Sequence, residues 1–172
     1  MKIFDFILTY WAYFTVVSFF GGIIGFISIY TEKNSEDDKK PNYRLGIILL
    51  TQMVVTFAIL FILHSVFNVF VKRELERALN SPNSELYIKH KSISIKEQTE
   101  LKSKLCALIN PPQTHSGPDR YIKVLIKAND ANLFLSLGRD DQDTTIYWVF
   151  VDNYKVTKSN EIGTIKTEIF NK

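Results

Sequence analysis

The sequence predicts a membrane protein, a two-helix transmembrane hairpin followed by a small α+β domain in which one amphipathic helix covers an antiparallel sheet. Three observations predict it. The 172 residues average to a mean hydropathy of zero, yet 16 of the 21 basic and 13 of the 18 acidic residues lie beyond residue 71. Two long uncharged runs occupy the first 71 residues. In the remaining chain the apolar period changes from helical to alternating. This layout excludes a wholly soluble protein, a disordered chain and a collagen-like repeat. A single cysteine also excludes an internally disulfide-stapled domain.

The first run, Phe6 to Thr31, has 26 residues without a charge, and the second, Leu45 to Val71, has 27. As a helix each is about 40 Å long, enough for a hydrocarbon core of about 30 Å. The spans are therefore placed at about 6–31 and 45–71. A cleaved signal peptide is the alternative for the first run, but it needs a short apolar core ending at small residues. Here the run ends in Phe26-Ile27-Ser28-Ile29-Tyr30-Thr31. Tyr10, Trp11, Tyr13, Tyr30 and Tyr43 stand where aromatic anchors belong at a membrane surface. The connection from Glu32 to Arg44 balances four basic against four acidic residues, as a solvated loop would. Basic residues near the spans number six on the terminal side (Lys2, Lys72, Arg73, Arg77, Lys89, Lys91) and four in the loop. This bias puts both termini and the polar domain in the cytoplasm.

Gly21-x-x-x-Gly25 and the overlapping Ser18-x-x-x-Gly22 form a helix-packing candidate in the first span. Small side chains there let another helix approach closely, either the second span or another copy of the chain. The alternative is the ordinary frequency of glycine in membrane helices. In the second span His64 and Asn68 share a face at i, i+4 spacing and form a candidate intramembrane polar face. Such groups point to hydrogen bonding between helices, and a water-lined ion path is the rarer possibility.

After Val71 the good helix formers Lys72 to Leu79 extend the second span as a helical stalk, so 1–79 is read as hairpin plus stalk. Asn80-Ser81-Pro82-Asn83-Ser84 is read as a linker. Residues 85–172 then make a soluble α+β domain. Leu86 to Lys91 reads as a strand. Ser94 and Glu97 match a capping box, and Ile95, Leu101, Leu105, Leu108 and Ile109 at helical spacing predict a helix ending before Asn110-Pro111-Pro112. Residues 110–119 read as a surface loop. Tyr121–Lys127, Leu133–Leu137 and Thr144–Val151 read as a three-stranded meander, with Gly138–Asp143 as one of its turns. Tyr154–Phe170 reads as further strand or as a short helix.

The sequence carries no phosphate-binding glycine loop, nucleophile elbow or zinc-spaced cysteine pair, so no catalytic, cofactor-binding or metal-binding residue is assigned and no enzyme activity is expected. Cys106 falls among apolar helix positions and reads as buried and inert. His90 and His115 have no identifiable partner. Asp140, Asp141 and Asp143 read as a solvated turn rather than a cation loop. The tail beyond residue 71, at +16 against −13, is too evenly charged to expect nucleic acid as a partner.

In size, in a membrane portion followed by a compact polar domain, and in the aromatic strand Tyr147-Trp148-Val149-Phe150 leading to Asn160-Glu161-Ile162-Gly163-Thr164-Ile165, the chain resembles the small inner-membrane superinfection exclusion proteins encoded by temperate phages of enteric bacteria. The resemblance implies a multi-pass protein of the bacterial inner membrane, made by a resident prophage, that stops DNA entry by related phages. Its partners would be the lipid bilayer, a phage ejection protein or a host membrane protein, and a second copy of itself. No site residue is carried over from that family. The alternatives are a membrane-tethered assembly or toxin-immunity subunit and, less well supported, a pore-forming protein.

Overall fold

The computed structural model describes residues 1–33, 43–88, 91–92, 94–109, 116–129 and 132–170. It divides into two compact units, Met1–Phe67 and Asn68–Lys172. The first contains helix α1 (Lys2–Lys33) and most of helix α2 (Arg44–Leu79). Both helices are long and apolar enough to cross a membrane. α1 begins before the uncharged run and takes in Asp5, whose carboxylate in the first turn suits the positive end of the helix dipole. Partner positions along the two helices sum to a near-constant value: Gly25 with Gly46, Gly22 with Met53, Ser18 with Thr56, Phe4 with Phe67. A constant sum means antiparallel packing. Most of the expected connection, and with it Lys39 and Lys40, lies outside the described residues.

The second unit starts inside α2. Val71, Leu75, Ala78 and Leu79 are all buried, and Glu74 accepts a 2.6 Å hydrogen bond from the Tyr154 hydroxyl. The stalk expected at 72–79 is helical, and an apolar residue every three or four positions also gives it a buried stripe within this unit. Residues 80–84 are not a loose linker. Ser84 is buried, its Oγ donates to the Leu79 carbonyl, and Lys102 Nζ donates to both Ser84 O and Oγ at 2.6 Å.

A six-stranded antiparallel sheet follows, β1 (Glu85–Ile88), β2 (Lys91–Ser92), β3 (Pro118–Lys127), β4 (Asn132–Asp140), β5 (Ile146–Val151) and β6 (Gly163–Lys166), in the order β2-β1-β3-β4-β5-β6. Helices α3 (Ile95–Cys106) and α4 (Lys155–Ser159) complete the unit. One sheet face carries the core. Leu86 opposes Ile126, Val124 opposes Leu135, Leu137 opposes Val149, and Tyr147 opposes Ile165, all at most 1% exposed. Leu101 and Leu105 of α3 are buried with them.

Four local expectations are corrected. The helix opens on the Ser94–Glu97 capping box but ends at Cys106 rather than Ile109. Ala107 N–H is shared between the Ser103 and Lys104 carbonyls, the last turn tightens, and Ile109 instead exchanges two backbone hydrogen bonds with Thr164 at the sheet edge. Ile95 is therefore 84% exposed, and Cys106, one position past the Leu101–Leu105 stripe, is exposed rather than buried. β4 runs through Gly138 and Arg139 to Asp140, so the turn starts at Asp141. The reason is Gly138: a Cβ there would lie 2.5 Å from the Pro118 side chain and 3.1 Å from the Tyr121 ring, so only glycine lets the strand continue beneath them. Residues 154–170, left open by the sequence, form α4 followed by β6.

Candidate functional site

Every packing residue named from the first span lies within the hairpin's own geometry, though not in one role. A Cβ on Gly25 would sit 2.7 Å from the Gly46 carbonyl oxygen, and one on Gly46 would sit 2.7 Å from that of Gly25. The two backbones touch here. A Cβ on Gly22 would collide with the Met53 side chain. At Gly21 it would meet only Leu49 Cδ2, at an ordinary 3.7 Å. Gly22 and Gly25 are thus required by the hairpin, while Gly21 is not.

Ser18 centres a small polar ladder. Thr56 Oγ1 donates to the Gln52 carbonyl at 2.7 Å, so its proton is committed. Ser18 Oγ must therefore donate across the interface to Thr56 Oγ1, at 3.4 Å, while Gln52 Nε2 donates to Ser18 Oγ at 3.5 Å. Trp11 Nε1 donates to the Thr56 carbonyl at 3.2 Å, and buried Thr15 donates back to Trp11 O. Sequence reasoning missed Gly46, Met53 and Trp11 as members of this interface. The antiparallel sum of positions would have found Gly46 opposite Gly25. His64 and Asn68 stand one turn apart on α2, both half-buried, and no hydrogen bond joins them among the described residues. The Asn68 Oδ1 is buried with no partner.

In the sheet unit, the face opposite the core holds the other concentration of unusual side chains. Strand alternation puts Tyr121, Lys123, Leu125 and Lys127 of β3 on it, beside Phe134 and Ser136 of β4 and Phe150 of β5. Tyr121 and Phe134 are about half exposed, at 54% and 49%. A groove of 370 Å³ runs between Tyr87, Leu125, Phe134, Lys123 and Asp152. At its floor Lys123 Nζ donates to Ser136 Oγ at 2.5 Å and to Asp152 at 2.7 Å, and Ser136 Oγ donates to the same carboxylate. Lys127 Nζ sits 4.8 Å over the Tyr87 ring, within cation–π range. The period-two pattern of 121–127 held the signal for this face, since its alternate positions Tyr121, Lys123, Leu125 and Lys127 mix apolar and charged side chains rather than being uniformly polar.

Of the residues read as a solvated turn only Asp140 is buried, while Asp141 is exposed and Asp143 half-buried. Asp140 is 2% exposed and accepts from Trp148 Nε1 at 2.9 Å and from the backbone N–H groups of Gln142 and Asp143. Burial works to raise its pKa, but the Asp143 N–H, the Trp148 indole, the Ser116 hydroxyl and the Gln142 N–H together outweigh it and hold the carboxyl below its ordinary value. Asp143 is lowered as well, first by the Thr145 hydroxyl. The Cys106 thiol is pushed up by partial burial and by Glu76, which leaves it less nucleophilic at neutral pH. Among the described residues no three His, Cys, Asp or Glu side chains stand close enough to hold a metal ion. His90 and His115 lie outside the described residues.

Fold and sites together define a class of architecture: an apolar two-helix hairpin continuous with an antiparallel sheet domain that has one core face and one grooved aromatic face. Comparisons with protein-family models, with curated proteins and with solved structures return no match to this chain.

Proposed function

We propose that the protein is a membrane-anchored interaction protein that acts by contact rather than by catalysis. The observation that carries this reading is the inverted polarity of the hairpin. Val17, Phe20, Phe26, Ile48, Phe61 and Ile62 all face outward, whereas Thr15, Ser18, Gly22, Gly25, Gly46 and Thr56 are buried between the helices. In the most apolar 18-residue stretches only 22% of α1 and 11% of α2 is buried. A core helix of a water-soluble protein buries most of its apolar surface, so this distribution fits hydrocarbon as the surrounding medium. The aromatic, grooved face of the sheet supports contact as the mode of action.

The particular contact follows the resemblance of the sequence to superinfection exclusion proteins. The hairpin anchors the chain in the bacterial inner membrane with both termini cytoplasmic, and the sheet domain engages a phage ejection protein or a host membrane protein so that incoming DNA is not delivered. Expression in a phage-sensitive host, with adsorption, DNA entry and plaque formation measured separately, tests this. Normal adsorption with reduced DNA entry is the expected outcome. Unchanged DNA entry across a broad panel of temperate phages overturns exclusion, and recovery of one stable host membrane partner instead favours an assembly or immunity role. Alkaline phosphatase fused after Lys172 is expected to be inactive; strong activity reverses the orientation.

A further inference from the structure

We infer that a second copy of this chain packs against the hairpin at Gln52, the two copies being joined by reciprocal amide hydrogen bonds. The inference rests on the bilayer reading of the hairpin and adds its partner. Gln52 is exposed on α2 among outward side chains that, apart from the short Thr51 hydroxyl, are apolar, Ile48 and Val55 among them. It lies eight residues beyond Arg44, about 12 Å along the axis, farther than a glutamine side chain reaches toward water. Among the described residues the one hydrogen bond of its side-chain amide is the 3.5 Å donation to Ser18 Oγ, which leaves the second amide N–H and Oε1 unmet.

In hydrocarbon an unmet amide needs a partner that offers both a donor and an acceptor. Copies inserted with the same orientation carry Gln52 at the same depth, so a two-fold axis along the membrane normal brings two such amides together, each donating to the other. Gly21 independently favours the same place. It stands one turn from Ser18, packs on Leu49 one turn from Gln52, and is the glycine whose missing side chain the hairpin itself does not require. Its smallness leaves room for a neighbouring helix.

The full chain, labelled at its single, exposed Cys106, can be reconstituted at low density in vesicles of phosphatidylethanolamine and phosphatidylglycerol and its copy number read by stepwise photobleaching. Two-step bleaching is expected for the native chain. Gln52→Leu should weaken association about tenfold, as for two interhelical amide bonds, while Gln52→Asn retains most of it. Gly21→Leu should also weaken it with the hairpin intact. Single-step bleaching of the native chain at every lipid ratio overturns the proposal, as does a Gln52→Leu chain that pairs as tightly as the native one. Flotation with the vesicles and resistance to carbonate extraction are scored in parallel. A chain that fails both fails the bilayer reading itself, whereas one that passes both yet stays single fails only at pairing.

Discussion

The hairpin and the sheet domain solve opposite packing problems with the same amino-acid alphabet. In the sheet domain Leu135, Leu137, Tyr147, Val149 and Val151 are fully buried. In the hairpin Phe61 is 79% exposed and Val17 67%, while serine, threonine and glycine fill the interface. Burying apolar surface is favourable only where water is the alternative. Against lipid tails it contributes almost nothing, and close backbone contact and interhelix hydrogen bonds take over. Burial therefore marks core residues in one unit and small or polar residues in the other.

Matched substitutions sharpen that contrast. The largest effect is expected from Leu135→Ala, about 2–5 kcal/mol off the stability of the sheet domain, read by denaturant unfolding of the full chain in detergent. Phe61→Ala removes a larger apolar group, yet it should leave hairpin packing within about 0.5 kcal/mol. A comparable loss from the two would sink the contrast. Next comes Gly25→Leu, at about 3 kcal/mol of overpacking, because the new side chain meets the Gly46 backbone. Distance measurements between labels on α1 and α2 should report separation in this variant and none in Gly21→Leu.

Asp140→Asn follows, at about 1–3 kcal/mol, since the amide presents one acceptor oxygen where the carboxylate serves an indole and two backbone N–H groups. The sign with pH follows from its lowered pKa. Stability is fully present above the unfolded-state carboxyl value of about 3.9 and is lost as pH falls through the lower folded value. Unfolding measured from pH 6 to pH 2 should show an acid loss that Asp140→Asn diminishes. The smallest effect is Ser18→Ala, below about 1 kcal/mol in the same α1–α2 distance assay, because the 3.4 Å bond to Thr56 is long. A loss as large as that of Gly25→Leu would show that the polar ladder, rather than backbone contact, holds the hairpin together.

Much of the fold was legible because it rests on local pattern. Uncharged length marks α1 and α2, the Ser94–Glu97 box marks the start of α3, and alternation marks β3 and β5. The errors fall where a distant neighbour outweighs the local signal. Gly138 and Asp140 read as turn residues, but Pro118 and Tyr121 need the one, and the Trp148 indole and two N–H groups fix the other inside the sheet. Ile109 continues the helical spacing, yet β6 has open backbone groups that Ile109 can satisfy. The helix-packing glycines were visible as a motif, but not that α2 leaves no room for a side chain at Gly22 and Gly25 while Gly21 meets only Leu49 at an ordinary distance.

What the sequence determined by itself was the apolar length of each segment and the period of each element, since both depend on residues a few positions apart. Only the tertiary structure decided which residues share an interface: that the last turns of α2 belong to the sheet unit, that Gly46 lies on Gly25, and that Lys123 of β3, Ser136 of β4 and Asp152 in the turn after β5 meet. Those contacts join residues between 13 and 80 positions apart, as in Lys123 with Ser136 and Glu74 with Tyr154. They form because chain closure brings shapes and hydrogen-bonding groups together, and no local pattern encodes that meeting.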